Sequence, residues 1–340
     1  SRWKAPQVVK TLRDALAFLT GDNWELDFFK RGSAFERPKQ ETFLLPDHSL
    51  AVIPFSDGLD SRAVAGLTAL ELGDKLVRVR LGTKEYTDHH PRRRPFTAVP
   101  YRVRADKGQF VESSARSRGF KFALISGLAA YLAKAGQVIV PESGQGSLGP
   151  ALVTVGQSYE DYRNHPFFTG RMEAFLQALL GHSVRFQFPR IWYTKAETLK
   201  EFVDKCDDGA SWANTWSCWQ DNRHASVDGK RRHCGVCAAC ILRRLSVHAA
   251  GLSEPSETYI WENLGAETFG AGAAVNFASK RKKRSGALRE YAIAGILHMD
   301  HLATLRASQA NCNVLKLTAF KLSQSLEIPE SDAEEKLNRL

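Results

Sequence analysis

An apolar run leads directly into a turn of small and polar residues in Leu50-Ala51-Val52-Ile53-Pro54-Phe55-Ser56-Asp57-Gly58-Leu59-Asp60-Ser61. The apolar part, 50–55, predicts a buried β-strand, and residues 62–72 after the turn predict a helix. A strand, a small-residue turn and a helix together place backbone N–H groups at a helix N-terminus, where they bind phosphate. This region therefore predicts an α/β nucleotide-binding fold.

The same alternation of strand and helix continues for more than a hundred residues. We predict strands at 50–55, 75–81, 97–103, 137–140 and 184–188, and helices at 62–72, 117–135 and 171–180. This order is typical of a largely parallel, Rossmann-like sheet with helices on both faces. Right-handed crossovers then bring the turn at 56–61 and the Gly-rich loop Glu142–Pro150 to the same carboxyl edge of the sheet.

A second pattern lies in the C-terminal half, where four cysteines occupy a short region: Cys218, Cys234, Cys237 and Cys240. Three of them have C-x-x-C-x-x-C spacing, and four thiolates satisfy a tetrahedral Zn²⁺ ion. Because no coordination position stays open, we expect a structural zinc. His233, next to the cluster, is interpreted as a bystander, and the spare Cys206 and Cys312 as small buried apolar groups.

Four regions follow from these patterns. Residues 1–48 form an N-terminal extension with a helix at 8–19 and a strand at 24–29. Residues 49–205 form the nucleotide-binding domain, and 206–250 form the zinc segment. Residues 251–340 are predicted to be a mostly helical extension.

Composition restricts the class of protein. The chain has 340 residues and a net charge of +10, and no run approaches the 18 apolar residues of a membrane span. Without a signal-peptide core, and with cysteines in zinc spacing, a reducing cytoplasm is expected. The basic run 280–284 and the triplet Arg92–Arg94 are interpreted as solvated, so direct nucleic-acid binding is not favoured.

Ser56-Asp57-Gly58-Leu59-Asp60-Ser61 resembles the Ser-Gly-Gly-x-Asp-Ser motif of the PP-loop ATP pyrophosphatases, with Asp57 in place of the first glycine. The cysteine segment, with Thr215 to Cys218 before it, is similar to the zinc segment of QueC, the 7-cyano-7-deazaguanine synthase. Three further matches occur in family order. Arg118-Gly119-x-x-Phe122 resembles Arg-Asn-x-x-Phe, Arg171 with Phe175 resembles Asp-Cys-Arg-Pro-Glu-Phe, and Pro189 with Thr194-Lys195-Ala196-Glu197 resembles Pro…Thr-Lys-Ala-Glu.

The resemblance implies an ATP site at the turn 56–61. The carboxylate of Asp60 would hold Mg²⁺, and the turn with its two serine hydroxyls would bind phosphates. Arg118, Arg171 and Lys195 would supplement it, with Lys195 nearest the phosphate or acyl-adenylate. Asp57 adds a second carboxylate, which repels phosphate unless it faces metal or solvent. Trp216 and Trp219 are candidates for stacking on a base.

The departures from QueC indicate a branch. Residues 1–48 and most of 251–340 have no counterpart, and Glu142–Pro150 replaces an Asp-x-Ser-Gly-Tyr-Pro loop. The chain resembles the QueC-like proteins of anti-phage operons, such as QatC of Qat systems or the type IV CBASS relatives. That resemblance implies ATP-dependent adenylation of a 7-carboxy-7-deazaguanine and its conjugation to the N-terminus of a partner protein.

Three alternatives stay open. The amine can be ammonia, with 7-cyano-7-deazaguanine as the product. The chain can instead be a catalytically inactive zinc protein that binds a nucleotide or nucleic acid. A tRNA sulfur-transfer enzyme is the third, although no paired catalytic cysteine is evident outside the zinc set.

Overall fold

The computed structural model describes residues 2–29, 32, 45, 48–56, 58–81, 96–99, 117–156, 159–220, 226–277 and 285–340. Asp57, Arg92–Arg94 and the basic run 280–284 lie outside the described residues, so their expected roles stay predictions.

A five-stranded parallel sheet organises the first 200 residues. Its strands are β1 (Ala51–Phe55), β2 (Leu76–Leu81), β3 (Phe96–Val99), β4 (Gln137–Ile139) and β5 (Arg185–Gln187). They lie in the order β3-β2-β1-β4-β5, with every pairing parallel. The order reverses between β1 and β4, and ligands of such folds bind beyond the carboxyl ends of the strands at that point. The predicted Rossmann-like sheet is confirmed.

Helices cover both faces because β1 is apolar on both. They are α1 (Pro6–Thr20), α2 (Leu59–Leu72), α3 (Arg118–Ala133), α6 (Pro166–Leu180) and α7 (Lys195–Lys205). Val52 packs with α1, α3 and α6, whereas Ile53 and Phe55 pack with α2 on the opposite face. Successive side chains of a strand point to opposite faces, so one short run supplies two cores.

The N-terminal region differs from its prediction, since residues 24–29 form no strand. Trp24, Leu26 and Phe28 are partly buried against the core that α1 shares with α6. Their alternation reflects an extended segment that packs one side on the core but pairs with no strand among the described residues. Residues 6–20 and 24–28 therefore belong to the packing of the sheet domain.

The Gly-rich segment after β4 is also not a loop. It forms two helical turns, α4 (Gly144–Ser147) and α5 (Gly149–Leu152). A Cβ atom at Gly144 would lie 2.1 Å from the carbonyl oxygen of Ile191. Glycine is therefore required at this position, because the backbone of the segment lies against the turn that follows β5.

Beyond the sheet, a short hairpin forms β6 (Ser226–Val227) and β7 (Lys230–Arg231), followed by α8 (Ala238–Ala249). The C-terminal region contains α9 (Ser285–Thr304), α10 (Gln309–Leu326) and α11 (Glu330–Arg339). The predicted helical extension is confirmed. No helix of the described residues combines the length and apolar character needed to cross a bilayer.

Candidate nucleotide site and metal centre

The turn after β1 is closed by its own side chains. The Ser56 N–H donates to Ser61 Oγ at 2.8 Å, and the Gly58 N–H donates to Ser56 Oγ at 3.2 Å. Helix α2 begins immediately afterwards at Leu59. The positive end of a 14-residue helix thus faces the carboxyl edge of the sheet, as phosphate binding requires.

Two residues that are 135 positions apart form an ion pair beside this turn. Lys195 Nζ donates to Asp60 Oδ2, and both side chains are nearly buried, at 9% and 12% exposure. Lys195 is the first residue of α7, which a capping box fixes: Thr194 accepts from the Glu197 N–H, and Glu197 accepts from the Thr194 N–H. The Thr-Lys-Ala-Glu sequence therefore encodes both the helix start and the lysine position.

The ion pair leaves unused binding capacity. Burial, together with the charge of Arg243, lowers the pKa of Lys195 to about 7. Asp60 Oδ1 is buried and has no hydrogen-bond partner among the described residues. A buried carboxylate oxygen without a partner is costly, and a hard cation such as Mg²⁺ would satisfy it. The residues present therefore fit a magnesium ion.

A cavity of 660 Å³ opens next to the pair, within the usual size for small-molecule sites. Gly58, Leu59, Asp60 and Lys195 form one end. Its other walls come from the α4 region, from residues 155–156 and 159–164, from the zinc segment and from α9. The prediction that the turn and the Glu142–Pro150 segment face the same edge is confirmed.

Three polar residues of this cavity were not among the predicted site residues: Glu142, Arg163 and Asn164. Burial raises the pKa of Glu142 to about 7, although the Arg163 guanidinium lowers it. Arg163 Nε also bonds Asp161 Oδ2 at 2.6 Å. The sequence contained a signal that could have identified Arg163. Asp161 and Arg163 have the same Asp-x-Arg spacing as the Asp-Cys-Arg part of the QueC motif.

Arg118 and Arg171 lie elsewhere. Arg118 is exposed at the start of α3 and does not line the cavity. Arg171 is exposed on α6, with its guanidinium 3.9 Å from the centre of the Phe18 ring. The neighbour of Arg118 does reach the site: a Cβ at Gly119 would lie 2.6 Å from the Arg163 Cβ. The structure thus brings Lys195 to Asp60, next to Ser61 in the chain, but brings neither arginine there.

Helix α9, in the predicted helical extension, forms a wall of the cavity. Glu290, Tyr291 and His298 line it. The same helix packs Leu288 and Ala292 into the apolar core around the cysteines. The C-terminal extension therefore completes the candidate site.

The four predicted metal ligands come together. Their sulfur atoms all lie within 4.8 Å of one another, and all four residues are buried. Cys234 Sγ and Cys240 Sγ are 3.8 Å apart. With Zn–S bonds of about 2.3 Å, tetrahedral geometry places the sulfurs about 3.8 Å apart. The cluster therefore has the ligands and dimensions of a closed structural zinc site, and His233 is not part of it.

The backbone supports the thiolates. The Cys234 N–H donates to Cys218 Sγ at 3.2 Å, and the Cys237 N–H donates to Cys234 Sγ at 3.3 Å. Gly235 has φ +87°, which L side chains rarely adopt, and its Cβ would contact the Trp261 carbonyl at 3.0 Å. Such outer hydrogen bonds orient metal ligands.

A buried arginine ties the zinc segment to the cavity. Arg243 is fully buried on α8, with Nη2 2.7 Å from Glu254 Oε1 and Nη1 2.7 Å from Thr215 Oγ1. Removing one partner of such a pair is strongly destabilising, since a buried charge is left alone. Arg243 thereby fixes the residues immediately before Trp216 and Cys218.

The two tryptophans differ. Trp216 packs against His233 with ring centres 4.3 Å apart, and the Arg231 guanidinium lies 3.4 Å from its ring centre. Both tryptophans line the cavity, and Trp219 is 58% exposed. Trp219 is therefore the better candidate for stacking on a planar ligand.

The spare cysteines also differ. Cys206 is buried, as predicted, and packs with Leu67 and Phe202. Cys312 is only half-buried, and its thiol lies 3.8 Å from the Ser308 carbonyl oxygen. The prediction of a buried apolar role for Cys312 was wrong, because α10 turns this residue toward its outer face.

Comparison with known proteins finds similarity over part of the chain. Residues 147–251 match the family model described as queuosine biosynthesis protein QueC. The 7-cyano-7-deazaguanine synthase of Brucella anthropi is 32% identical over 80 residues, which cover 23% of this chain and 30% of that protein. The enzyme of the same name from Sinorhizobium fredii is 34% identical over 92 residues, covering 26% and 35%.

An archaeal relative gives the same result. The 7-cyano-7-deazaguanine synthase of Methanoregula boonei is 30% identical over 99 residues, covering 29% of this chain and 40% of that protein. The chain thus spans between 30% and 40% of the length of these relatives. The family-model match includes Lys195 and all four cysteines, but not the turn 56–61. Residues 147–251 are therefore similar to the QueC family, and the similarity covers less than half of the chain.

Proposed function

We propose that this chain is an ATP-dependent enzyme that adenylates a 7-carboxy-7-deazaguanine and transfers the acyl group to an amine. The main support is the buried Asp60–Lys195 pair, which lies at the phosphate-binding turn and in the same cavity as the zinc segment. A carboxylate needs a better leaving group than oxide before it can form an amide in water. Adenylation supplies that leaving group.

In the first step, a carboxylate oxygen of the base attacks the α-phosphorus of ATP. The bond from that phosphorus to the oxygen bridging the α and β phosphates breaks, and pyrophosphate leaves. In the second step, the amine nitrogen attacks the acyl carbon. The bond from that carbon to the AMP oxygen breaks, and the nitrogen loses a proton.

The residues divide these tasks. The turn 56–61 and the N-terminus of α2 bind the departing pyrophosphate. Lys195 exchanges Asp60 for a phosphate oxygen or the acyl-adenylate, and a lysine with a pKa about 7 gains its full charge beside phosphate. Asp60, with its unpartnered Oδ1, would hold Mg²⁺, which neutralises charge on the leaving group.

The acceptor is proposed to be the N-terminus of a partner protein, as in the anti-phage branch that the chain resembles. Support comes from α9, which lines the cavity. This helix belongs to the C-terminal extension, whose surface would serve to dock a protein substrate. Ammonia is the second candidate, favoured by the name 7-cyano-7-deazaguanine synthase that the relatives carry. Asp57 and the basic run 280–284 are the residues that would favour an inactive binding protein. Both lie outside the described residues.

The adenylation step is tested by product analysis. With 7-carboxy-7-deazaguanine, wild-type protein should release AMP and pyrophosphate, and Asp60→Asn should lose at least about 100-fold in rate, as for removal of one electrostatic group. Asp74→Asn, an exposed carboxylate after the same helix, is the matched control and should keep the rate. ADP as the main product would contradict the proposal.

The acceptor is tested separately. Intact-mass spectrometry of a protein encoded nearby, co-expressed with this chain, should reveal a mass increase equal to the acylated base. The increase should vanish with Asp60→Asn. An unmodified partner together with free nitrile formed from ammonia and ATP would assign the chain to the ordinary synthase.

A further inference from the structure

One wall of the cavity carries a carboxylate next to an amide. Glu142 follows β4, and its Oε2 accepts a hydrogen bond from Asn164 Nδ2 at 3.4 Å. Arg163 lies close enough to act on Glu142 by its charge, but its guanidinium is bound to Asp161. Glu142 is therefore held in place without being neutralised by a direct ion pair.

The structure makes room for this carboxylate. A Cβ atom at Gly146 would lie only 2.2 Å from Glu142 Oε1. Any side chain at 146 would thus displace the carboxylate. The absence of a side chain at this position in α4 lets Glu142 occupy the cavity wall.

The other walls suit a flat ligand. Tyr159, Trp219 and Tyr291 line the cavity, and each is between 43% and 58% exposed. Aromatic faces bind planar heterocycles by stacking. A planar ring held here would need a polar edge to match Glu142 and Asn164.

We propose that Glu142 and Asn164 read the pyrimidine edge of a guanine-type base, an inference that rests on the proposed function. A guanine edge presents an amino donor, a ring N–H donor and a carbonyl acceptor. The two Glu142 oxygens accept from the two donors. The second N–H of the Asn164 amide donates to the carbonyl.

The same pair rejects an adenine-type edge. Adenine has a ring nitrogen acceptor where guanine has a ring N–H, so a carboxylate oxygen would face a lone pair. Unpaired buried polar groups of this kind give strong discrimination. Glu142 and Asn164 thereby separate the base to be activated from the adenine of ATP.

The test combines one substitution in the protein with one change in the ligand and measures binding for all four combinations. Dissociation constants are measured for 7-carboxy-7-deazaguanine and for its analogue without the 2-amino group, using wild-type protein and Glu142→Gln. Wild-type protein should bind the deazaguanine about 10- to 100-fold more tightly than the analogue. Glu142→Gln should lose most of that ratio. Glutamine should be tolerated in the fold, because burial already raises the pKa of this carboxyl to about 7.

Two further variants make the result specific. Asn164→Ala should weaken both ligands by a similar factor and keep their ratio, since both carry the carbonyl. Glu160→Gln, an exposed carboxylate that does not line this cavity, should change neither constant. An unchanged ratio in Glu142→Gln, with or without weaker ATP binding, would overturn this inference alone. Wild-type protein that binds neither deazaguanine ligand would contradict the proposed function itself.

Discussion

The cysteine cluster and the cavity are neighbours, but they are built differently. The cluster draws four ligands from 23 consecutive positions, 218–240, and its supporting hydrogen bonds join residues in the same range. The cavity draws its walls from residues as far apart as Gly58 and Met299. A short-range site depends on spacing, whereas a long-range site depends on how helices and strands pack.

Helix α9 connects the two regions. Its Leu288 and Ala292 pack into the core around the cysteines, and its Tyr291 and His298 line the cavity. A defect in one region should therefore reach the other through α9 as well as through the zinc-segment residues that line the cavity. Three experiments separate local from transmitted effects.

The largest effect should follow the loss of one zinc ligand, Cys237→Ser. Zinc binding to such sites is worth on the order of 10 kcal/mol or more, and this free energy is folding free energy. We expect insoluble or locally unfolded protein, measured as soluble yield and as zinc per chain, which should be one in wild-type protein. Cys312→Ser, outside the cluster and half-buried, is the control and should keep both values. Well-folded wild-type protein without zinc would refute the assignment.

A medium effect should appear in the pH dependence of the free energy of unfolding. It arises at His165, which caps α6 and is buried by tertiary packing. Its Nδ1 accepts from the Phe167 N–H at 3.1 Å, and burial lowers the pKa of His165 to about 3. The folded-state pKa lies below the unfolded value, so stability is full above pH 6.5 and is lost as pH falls toward 3. Between pH 7 and 4.5 the loss should be roughly 3 kcal/mol.

His165→Asn keeps a capping side chain but removes the titration. The free energy of unfolding, measured with urea at pH 7 and at pH 4.5, should fall less steeply for this variant than for wild-type protein. Equal losses in both proteins would show that folding does not shift the pKa of His165, which would contradict this prediction.

The smallest effect concerns the contact between α9 and α8. A Cβ at Gly295 would lie 2.9 Å from Ala238 Cα, a backbone atom next to Cys237. Gly295→Ala should cost about 1–3 kcal/mol, because the helices must move apart. Gly286→Ala in the same helix meets open space and should stabilise by about 0.5 kcal/mol. Urea unfolding and deazaguanine binding of both variants will show whether α9 positions the cavity wall.

Much of the fold was predictable because it is encoded by short-range patterns. The apolar run 50–55 and the predicted strands that pair with it correspond to the observed strands. The prediction failed at 24–29, where alternation alone cannot reveal whether a neighbouring strand exists. It also failed at 142–150, where glycines serve close packing against Ile191 and Glu142 instead of a loop.

The site was predictable only in part. The spacing Thr194-Lys195-Ala196-Glu197 specifies a capped helix start, but its meeting with Asp60 required the crossover of the chain. Arg171 was chosen on a motif fragment, whereas Arg163 lines the cavity. The deciding difference is position: Arg163 lies in the segment before α6, whereas Arg171 is on α6 with its guanidinium over the Phe18 ring.

The sequence by itself determined the parallel sheet, the turn at 56–61 and the four cysteines, since periodicity and spacing act over a few residues. Only the tertiary structure decided that α9 closes the cavity and that Glu142 and Asn164 share its wall. It also decided that Trp219 is 58% exposed, whereas Trp216 packs against His233 and Arg231. The physical reason is that burial and electrostatics at the cavity depend on contacts between segments distant in the chain, and one sequence read in order does not contain those distances.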